Sequence, residues 1–369
     1  MIRRYLPRGR GGWLLAAIGL VALVLCLALG TAHPRQAWLG YLVIYLFVLG
    51  LALGSMAIIM IHALTGGGWG FFLRPQLLAA TRTLPLLALG LVPLLVGAAA
   101  LFPWLPGPPV HDPHFAHQAW YLNRPFLTSR AVVFMLLWLG WAAWLERCLQ
   151  APRPRRLRNW AVSGLVMYVL SASLFGVDWI MALEPRWHST TFGLTYVTAQ
   201  MLGASACCGV LAARAAAARD NPLVADVGKL LMMFLLAFIY LAFMDYLTAW
   251  VGNLPAETVW YVPRTRTSWK WVAAFVLAFE LVLPFFTLLS RRGKRHPRRI
   301  AAVATLMLVA NFAWLLWMVA PAGRPQGLGV YWTDILAVIG LGAMWRSVFE
   351  GGLWQPLPVA STAAAEAGA

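Results

Sequence analysis

Long apolar runs, separated by short polar segments, make up most of the chain. Ten of these runs are long enough to cross about 30 Å of hydrocarbon as helices. The first run does not resemble a cleavable signal peptide, because it is long and lacks a clear small-residue cleavage site before His33. The ten predicted spans are residues 13–32, 37–64, 83–102, 130–147, 160–183, 190–213, 229–252, 270–290, 300–320 and 330–349.

The composition excludes a soluble protein. Of 369 residues, 61% are hydrophobic and only 11% are charged, whereas a soluble domain has about 25% charged residues. So few charges cannot cover a soluble globule of this size, and the same composition excludes a disordered chain and a secreted disulfide scaffold. We therefore predict an all-α integral membrane protein that ends in a disordered tail over residues 351–369.

Basic residues lie mostly on one side of the predicted membrane. The formal net charge is +17, and 21 of the 29 Lys and Arg residues fall in the N-terminal segment and the loops that share its side. The positive-inside rule then places both termini in the cytoplasm and loops 103–129, 184–189, 253–269 and 321–329 on the outer face. No basic stripe lies in a folded soluble module, so we expect no nucleic-acid partner. The eight cations assigned to the outer face are Arg35, Arg124, Arg130, Arg186, Arg264, Arg266, Lys270 and Arg324.

The sequence predicts no redox cofactor or metal within this chain. Its four cysteines form no CxxC pair, which excludes covalent haem, an iron–sulfur site and a disulfide framework. His62 is the only histidine in a span, so a haem held by two histidines lacks its second ligand. The segment His111–His117 has donors of metal-binding type, but outer loops of this kind more often make hydrogen bonds or partner contacts. The cysteines are Cys26, Cys148, Cys207 and Cys208.

Two outer loops carry a similar aromatic segment at an offset of 140 residues. Trp120–Pro125 precedes the fourth predicted span, and Trp260–Thr265 precedes the eighth. The offset also carries Arg130 onto Lys270 at the two helix starts. We predict two parallel four-helix bundles as internal repeats. The alternative is coincidence within an interfacial belt of Trp and Tyr. The predicted organisation is an N-terminal flanking helix in 1–36, bundles in 37–183 and 184–320, and a C-terminal flanking helix in 321–350.

Apart from Glu146 at the cytoplasmic end of the fourth span, four acidic residues lie within predicted spans, where ionisable groups are costly and indicate function. Asp178 and Asp245 lie about 8–9 Å below the outer ends of their helices, at 1.5 Å per residue. Glu280 lies near the middle of its span, and Asp334 is shallow. His62 lies near the cytoplasmic end of the second span.

Asp178, Asp245, Glu280 and His62 are the candidate residues for a proton path. No Lys or Arg lies deep in any predicted span, so we expect the carboxyls to be protonated, hydrogen-bonded to Tyr, Ser or water, or reached by outer-loop arginines such as Arg186 or Arg264. The alternative is that these groups form interhelical hydrogen bonds that only fix packing.

A polar cluster is predicted at the outer face, where the fifth span turns into the sixth. Its members come from this turn and from the loop before the eighth span, and the alternative is an ordinary helix hairpin with satisfied caps. Aromatic residues of the same region would line a quinone or lipid site. The cluster comprises Glu184, Arg186, His188, Glu257 and Arg264, and the aromatic residues are Trp179, Tyr246, Trp260 and Tyr261.

Four stretches resemble one subunit of alternative complex III, a bacterial quinol:electron-acceptor oxidoreductase. They are His117–Phe126, Phe175–Gly193, Gly252–Arg264 and Thr65–Arg82. Together they resemble the ActF type, the smaller of two NrfD/PsrC-like integral subunits, over roughly residues 40–350. The motifs are long and specific, although the chain lacks an extended cytoplasmic tail.

The resemblance implies a multi-pass protein of the bacterial inner membrane, with two four-helix bundles and flanking helices. It implies a respiratory electron-transport complex in which the ActF type holds no redox cofactor and contains a proton path. Haem c and iron–sulfur clusters belong to partner subunits, and quinol is the substrate of the complex. The implied partners are a pentahaem cytochrome c subunit, an iron–sulfur subunit, a second NrfD-like subunit and small membrane subunits.

Two other functions stay open from the sequence. The chain could itself bind quinol, as the membrane anchor of a polysulfide-reductase-like complex does, with His62 or Asp178 at the site. It could also be a secondary transporter, since two repeats and midplane acids suit one. Paired broken helices at matching repeat positions would favour the transporter, and we find none in the sequence.

Overall fold

The part of the chain that the structure describes folds into helices joined by turns. The computed structural model describes residues 7–105, 118–150, 154–216 and 222–354, and these contain no strand. Helices suit an apolar environment because each satisfies its own backbone hydrogen bonds. Ten helical segments are long and apolar enough to cross a membrane. The prediction of an all-α, multi-pass membrane protein is confirmed.

The helices are numbered in chain order. They are α1 Gly9–Leu29, α2 Pro34–Thr65, α3 Gly68–Thr81, α4 Leu84–Leu101, α5 Arg124–Gln150, α6 Pro154–Trp179, α7 Phe192–Ala215, α8 Leu223–Gly252, α9 Pro255–Arg266, α10 Trp269–Val276, α11 Leu283–Leu289, α12 Arg291–Arg295, α13 Pro297–Val319 and α14 Trp332–Leu353. A π-helical segment, Leu277–Val282, joins α10 to α11 into one span.

The ten predicted spans match ten observed ones, with two corrections. The third span is longer than predicted, because α3 and α4 together run over Gly68–Leu101 with a break at Arg82 and Thr83. The prediction of a loop at 253–269 is wrong, because α9 occupies most of these residues. Pro255 at the start of α9 has a φ angle that suits the first turn of a helix.

Helix α2 is the centre of the fold. In the most apolar stretch of α2, 94% of the residues are buried. Helix α2 contacts α3, α4, α6, α7, α13 and α14. Helix α7 is the second most buried span and packs against α2, α6, α8 and α13. Helix α5 contacts α4 and α6, whereas α1 packs mainly against α14.

Both ends of the described chain lie at one end of the molecule. The Arg8 Nη1 atom donates a hydrogen bond of 2.9 Å to the carbonyl of Trp354. We call this the terminal end, and the opposite end, where α2 begins and α4 finishes, the distal end. Helix α14 continues to Leu353, three residues into the tail predicted as disordered, and residues 355–369 lie outside the described part.

Candidate functional site

Asp178, in the last two turns of α6, is fully buried and paired with a cation. Arg130 of α5 donates from Nε to one carboxylate oxygen and from Nη2 to the other, each at 2.8 Å. The Tyr121 hydroxyl donates to the same carboxylate at 2.8 Å. The Arg130 guanidinium also lies over the rings of Tyr121 and Phe126, at 3.8 and 4.2 Å. Two charge-assisted bonds in parallel stabilise the ionised carboxylate.

This ion pair corrects the expectation that no Lys or Arg lies deep in a span. The sequence predicts that the fourth span starts at Arg130, and this assigns the charge of Arg130 to the outer loop. Helix α5 instead begins at Arg124, which puts Arg130 about 9 Å inside the helix at 1.5 Å per residue. Arg186, which we expected to reach the buried acids, is exposed at the distal surface.

Asp245 of α8 is held by hydroxyl groups. It accepts hydrogen bonds from Ser189, from Thr191 at 3.1 Å and from Tyr261 at 3.1 Å. Tyr246 packs edge-on against the Tyr261 ring, with centroids 5.6 Å apart. In the described part of the chain no Lys or Arg lies within ion-pair distance of Asp245, which is half-buried. A carboxyl that has only neutral donors can be either ionised or protonated without leaving a buried cation unpaired.

Tyr121 and Tyr261 share one electrostatic property. Burial raises the pKa of Tyr121, and the neighbouring Asp178 raises it further. Burial likewise raises the pKa of Tyr261, with a further contribution from Asp245. Both phenols therefore stay protonated and act as hydrogen-bond donors to the carboxylates at physiological pH.

Arg264 of α9 connects three segments at the distal end. It donates to the carboxylate of Glu184 at 3.1 Å, and to the carbonyls of Trp260, Trp317 and Met318 at 2.7 to 3.2 Å. Its guanidinium lies 3.6 Å from the centre of the Trp260 ring. Burial lowers the pKa of Arg264 to about 10, although Glu184 opposes this shift, so the residue remains charged at neutral pH.

The remaining residues of the predicted outer cluster and its aromatic lining differ in their surroundings. His188 is exposed, and its Nε2 lies 2.7 Å from the amide nitrogen of Gln118. The side chain of Glu257 lies outside the described part. Trp260 is buried in a stack with Trp187 at 4.2 Å. Trp179 is also fully buried, whereas Tyr246 is exposed.

His62 lies at the opposite end of the molecule from Asp178 and Asp245. It is in the last turn of α2, about 42 Å along that helix from Pro34 at 1.5 Å per residue. Its Nε2 lies 2.9 Å from the carbonyl of Gly67, and its ring packs edge-on against Trp69 and Phe71. The structure does not bring His62 together with the three acids.

Glu280 lies in the π-helical segment and is 1% exposed. One carboxylate oxygen accepts a hydrogen bond of 3.1 Å from Asn311, and Asn311 also donates to the Ala199 carbonyl at 3.2 Å. The other oxygen makes no hydrogen bond with the described residues. Single π-helical turns often mark functional sites.

Sequence reasoning missed the polar residues beside Glu280. Tyr168 donates to the Gln200 side-chain oxygen at 2.9 Å, deep between α6 and α7. Tyr196, Gln200 and Asn311 line a cavity of about 10 Å³, measured as the volume open to the centre of a water molecule, and this volume is about enough for one water. Uncharged polar residues inside apolar runs are the sequence signal for this group. The sequence prediction considers only the acidic residues and His62 within the spans.

Asp334 is shallow, as its position in the sequence suggests, and it too has a cation. Arg324 donates to both of its oxygens, at 2.8 and 2.7 Å, and the carboxylate also accepts from the Tyr331 backbone. Several cations assigned to the outer face therefore pair with acids at the distal end. They are Arg130, Arg264 and Arg324.

No three His, Cys, Asp or Glu side chains among the described residues come together as metal ligands, and the segment His111–His117 lies outside this part. No protein-family model matches the chain, and no curated protein matches it.

Proposed function

We propose that the chain is an integral subunit of a respiratory quinol-oxidising complex of the alternative complex III type, in the bacterial inner membrane. It would carry no redox cofactor of its own, support the assembly and conduct protons. One observation supports this most directly. The stretches that resemble the ActF type are distant in sequence, yet three of them supply the side chains of the distal clusters.

The contacts between these stretches are specific. Tyr121 of the first bonds to Asp178 of the second. Glu184 of the second bonds to Arg264 of the third. Ser189 of the second and Tyr261 of the third both bond to Asp245. Motifs that meet in this way belong to one structural unit, and this supports a shared role.

The helix contacts support the proposed arrangement of two four-helix bundles. Helices α2, α4, α5 and α6 contact one another in a closed order, as do α7, α8, the α10–α11 span and α13. The first helices of the two proposed bundles, α2 and α7, pack against each other in the centre. Most Lys and Arg residues belong to the segments at the terminal end, and this excess supports a cytoplasmic location for both termini.

Within this proposal, Asp245 and Glu280 are the groups that exchange protons. Asp178 is held as an anion by Arg130, so a change in its protonation would leave a buried cation unpaired. Glu280 has one oxygen without a partner among the described residues, and Asn311, which donates to its other oxygen, lines a cavity of water size. His62, at the other end, would act only in a separate cytoplasmic branch.

The assembly is tested by purifying the tagged protein from native membranes in mild detergent, with haem staining and mass spectrometry. Co-purification with a multihaem cytochrome c and an iron–sulfur protein is expected. A chain that purifies alone, without haem or iron, would contradict the proposal and favour a transporter or an independent quinone-binding protein.

The proton role is tested separately, by quinol-driven proton release from vesicles that contain the complex. Asp245→Asn and Glu280→Gln are expected to lower the protons released per electron. Asp226→Asn and Glu350→Gln are matched controls, because both acids form ion pairs on or near the surface. If both test variants release as many protons per electron as the natural complex, the proposed proton path is wrong and only the scaffolding role remains.

A further inference from the structure

Arg74 of α3 is a buried arginine without an acidic partner in the described part of the chain. Only 8% of its surface is exposed, and it forms no ion pair or hydrogen bond with the described residues. A charge in an apolar region is costly unless an opposite charge compensates it. Arg74 therefore indicates an anion from elsewhere. The other four buried arginines of these residues each pair with Asp or Glu, and they are Arg82, Arg130, Arg264 and Arg324.

The guanidinium of Arg74 lies beside the first turn of α3. It is 4.4 Å from the centre of the Phe71 ring, three residues earlier, as expected from the lean of helical side chains toward the amino terminus. The first four N–H groups of a helix have no partner within it. In α3 they belong to residues 68–71, and no side chain caps them. A guanidinium and the positive end of a helix dipole therefore lie together.

The backbone in front of α3 is open. Gly66, Gly67 and Gly68 are all exposed. Gly66 and Gly67 have φ angles of +70° and +97°, which other residues rarely adopt. The Nε2 atom of His62 lies 2.9 Å from the Gly67 carbonyl and ties this turn to α2. Because no side chain covers it, the first turn of α3 can accept a group as large as a phosphate.

The site lies at the level of lipid headgroups, at the terminal end. Helix α2 has 32 residues, or about 48 Å at 1.5 Å per residue, and the hydrocarbon is about 30 Å thick. The end of α2 and the start of α3 therefore extend into the headgroup layer. Trp69, Phe71 and Phe72 are half-buried here, and aromatic residues favour the membrane interface.

We propose that Arg74 and the first turn of α3 bind the phosphate of an anionic phospholipid. A phosphate accepts the parallel N–H donors of a guanidinium, and the N–H groups of a helix amino terminus bind phosphate as well. No described Asp or Glu lies within ion-pair distance of Arg74, so the ammonium of a zwitterionic lipid would find no counter-ion. Phosphatidylglycerol should therefore bind better than phosphatidylethanolamine. Inorganic phosphate offers the same chemistry without acyl chains. The site is independent of the proposed respiratory function.

The first experiment is native mass spectrometry of the delipidated full-length protein, mixed with equal amounts of phosphatidylglycerol and phosphatidylethanolamine in detergent. One phosphatidylglycerol is expected to stay bound, with a several-fold preference. Arg74→Gln should abolish this preference. Arg346→Gln removes the same charge from an exposed ion pair with Glu350, so it is the matched control and should keep the preference. Equal retention of the two lipids by the natural chain would overturn the proposal, as would equal losses in both variants.

Gly68→Asp provides a second test that keeps Arg74. Its carboxylate lies at the first position of α3, where an acid stabilises the helix and replaces the charge of the phosphate. This variant should lose the preference, whereas Gly68→Ala is the matched control and should keep it. Both variants place a Cβ 2.9 Å from the Leu223 side chain, which has to shift equally in the two. Identical lipid retention by the pair would contradict the site.

Thermal unfolding in detergent separates the lipid from free phosphate. Phosphatidylglycerol should raise the unfolding midpoint of the natural chain by several degrees and leave that of Arg74→Gln unchanged. Sodium phosphate should raise it less, compared with sodium chloride at equal ionic strength. If only inorganic phosphate acts, the lipid assignment is wrong. If Arg74→Gln unfolds well below the natural chain with neither anion present, an acid of the chain itself pairs with Arg74, and the proposal is overturned.

Discussion

Arg130 holds both carboxylate oxygens of Asp178 at 2.8 Å, across 48 residues of sequence and between two membrane-spanning helices. Both side chains are more than nine-tenths buried. Removing one member of such a pair leaves an uncompensated charge in an apolar region, and this costs more than the pair contributes when intact.

We therefore expect Arg130→Gln and Asp178→Asn each to destabilise the fold by about 3–5 kcal/mol. The double variant should lose less than the sum of the two, because neither charge is then left alone. Thermal unfolding in detergent measures all three. Arg346→Gln and Glu350→Gln are controls in an exposed pair of α14, where about 0.5 kcal/mol or less is expected. Fully additive losses at Arg130 and Asp178 would contradict the coupling.

Tyr121 and Tyr261 should make stability depend on alkaline pH. Their pKa values in the fold are above the ordinary value of about 10. As pH rises past about 10, the unfolded chain loses these protons while the fold keeps them. The free energy of unfolding therefore falls above pH 10, and the contribution of these phenols is complete only below it.

Tyr121→Phe and Tyr261→Phe should each make this alkaline fall shallower. Below pH 10 each should cost about 1.5–3 kcal/mol, since each removes a hydrogen bond to a charged or ionisable carboxyl. Unfolding midpoints from about pH 8 to pH 11 test both effects. Tyr240→Phe, at an exposed position of α8, serves as the control. A fall with pH as steep as in the natural chain would show that these phenols are not responsible.

A side chain at Gly54 should destabilise the fold, because α2 and α7 lie close together there. A Cβ at Gly54 would collide with the Gln200 carbonyl oxygen and the Ala204 side chain. Gly54→Ala should therefore destabilise the protein by about 1–3 kcal/mol, the usual cost of overpacking. Gly140→Ala in α5 has nothing within 4 Å of the new Cβ and should be neutral or stabilising. Equal effects of the two changes on thermal unfolding would contradict this packing.

The proposed orientation predicts which ends react with a membrane-impermeant maleimide. His188→Cys at the distal end should be labelled in intact cells. Trp354→Cys at the terminal end should be labelled only after permeabilisation. The natural chain provides the background, since Cys26 and Cys208 are buried but Cys148 and Cys207 are only partly buried. The reverse labelling pattern would place the termini outside.

Sequence alone predicts the spans because crossing a bilayer imposes a length and an apolar composition that few other structures need. It does not predict α9, which is short and polar and is held by the inward-facing Trp260 and Arg264. It also does not predict the Arg130–Asp178 pair, because nothing in either local sequence specifies a partner 48 residues away.

The repeated Trp-Tyr segments illustrate the same limit. Tyr121 and Tyr261 both donate to a carboxylate, as equivalent positions might suggest. Their acceptors are not equivalent, since an offset of 140 residues does not carry Asp178 onto Asp245. The three-dimensional contacts, and not the repeat, decide which acid each tyrosine binds.

The packing of α1 against α14 has a consequence for biosynthesis. Helix α1 is made about 300 residues before α14, the helix that covers its inner face at Gly19 and Gly340. At about 5–20 residues per second, the roughly 300 intervening residues take about 15 to 60 s. During that interval α1 lies in the bilayer without α14 beside it. If translation stops before α14, α1 therefore stays without the helix that covers its inner face. Such an unpaired membrane helix marks the chain for membrane quality control.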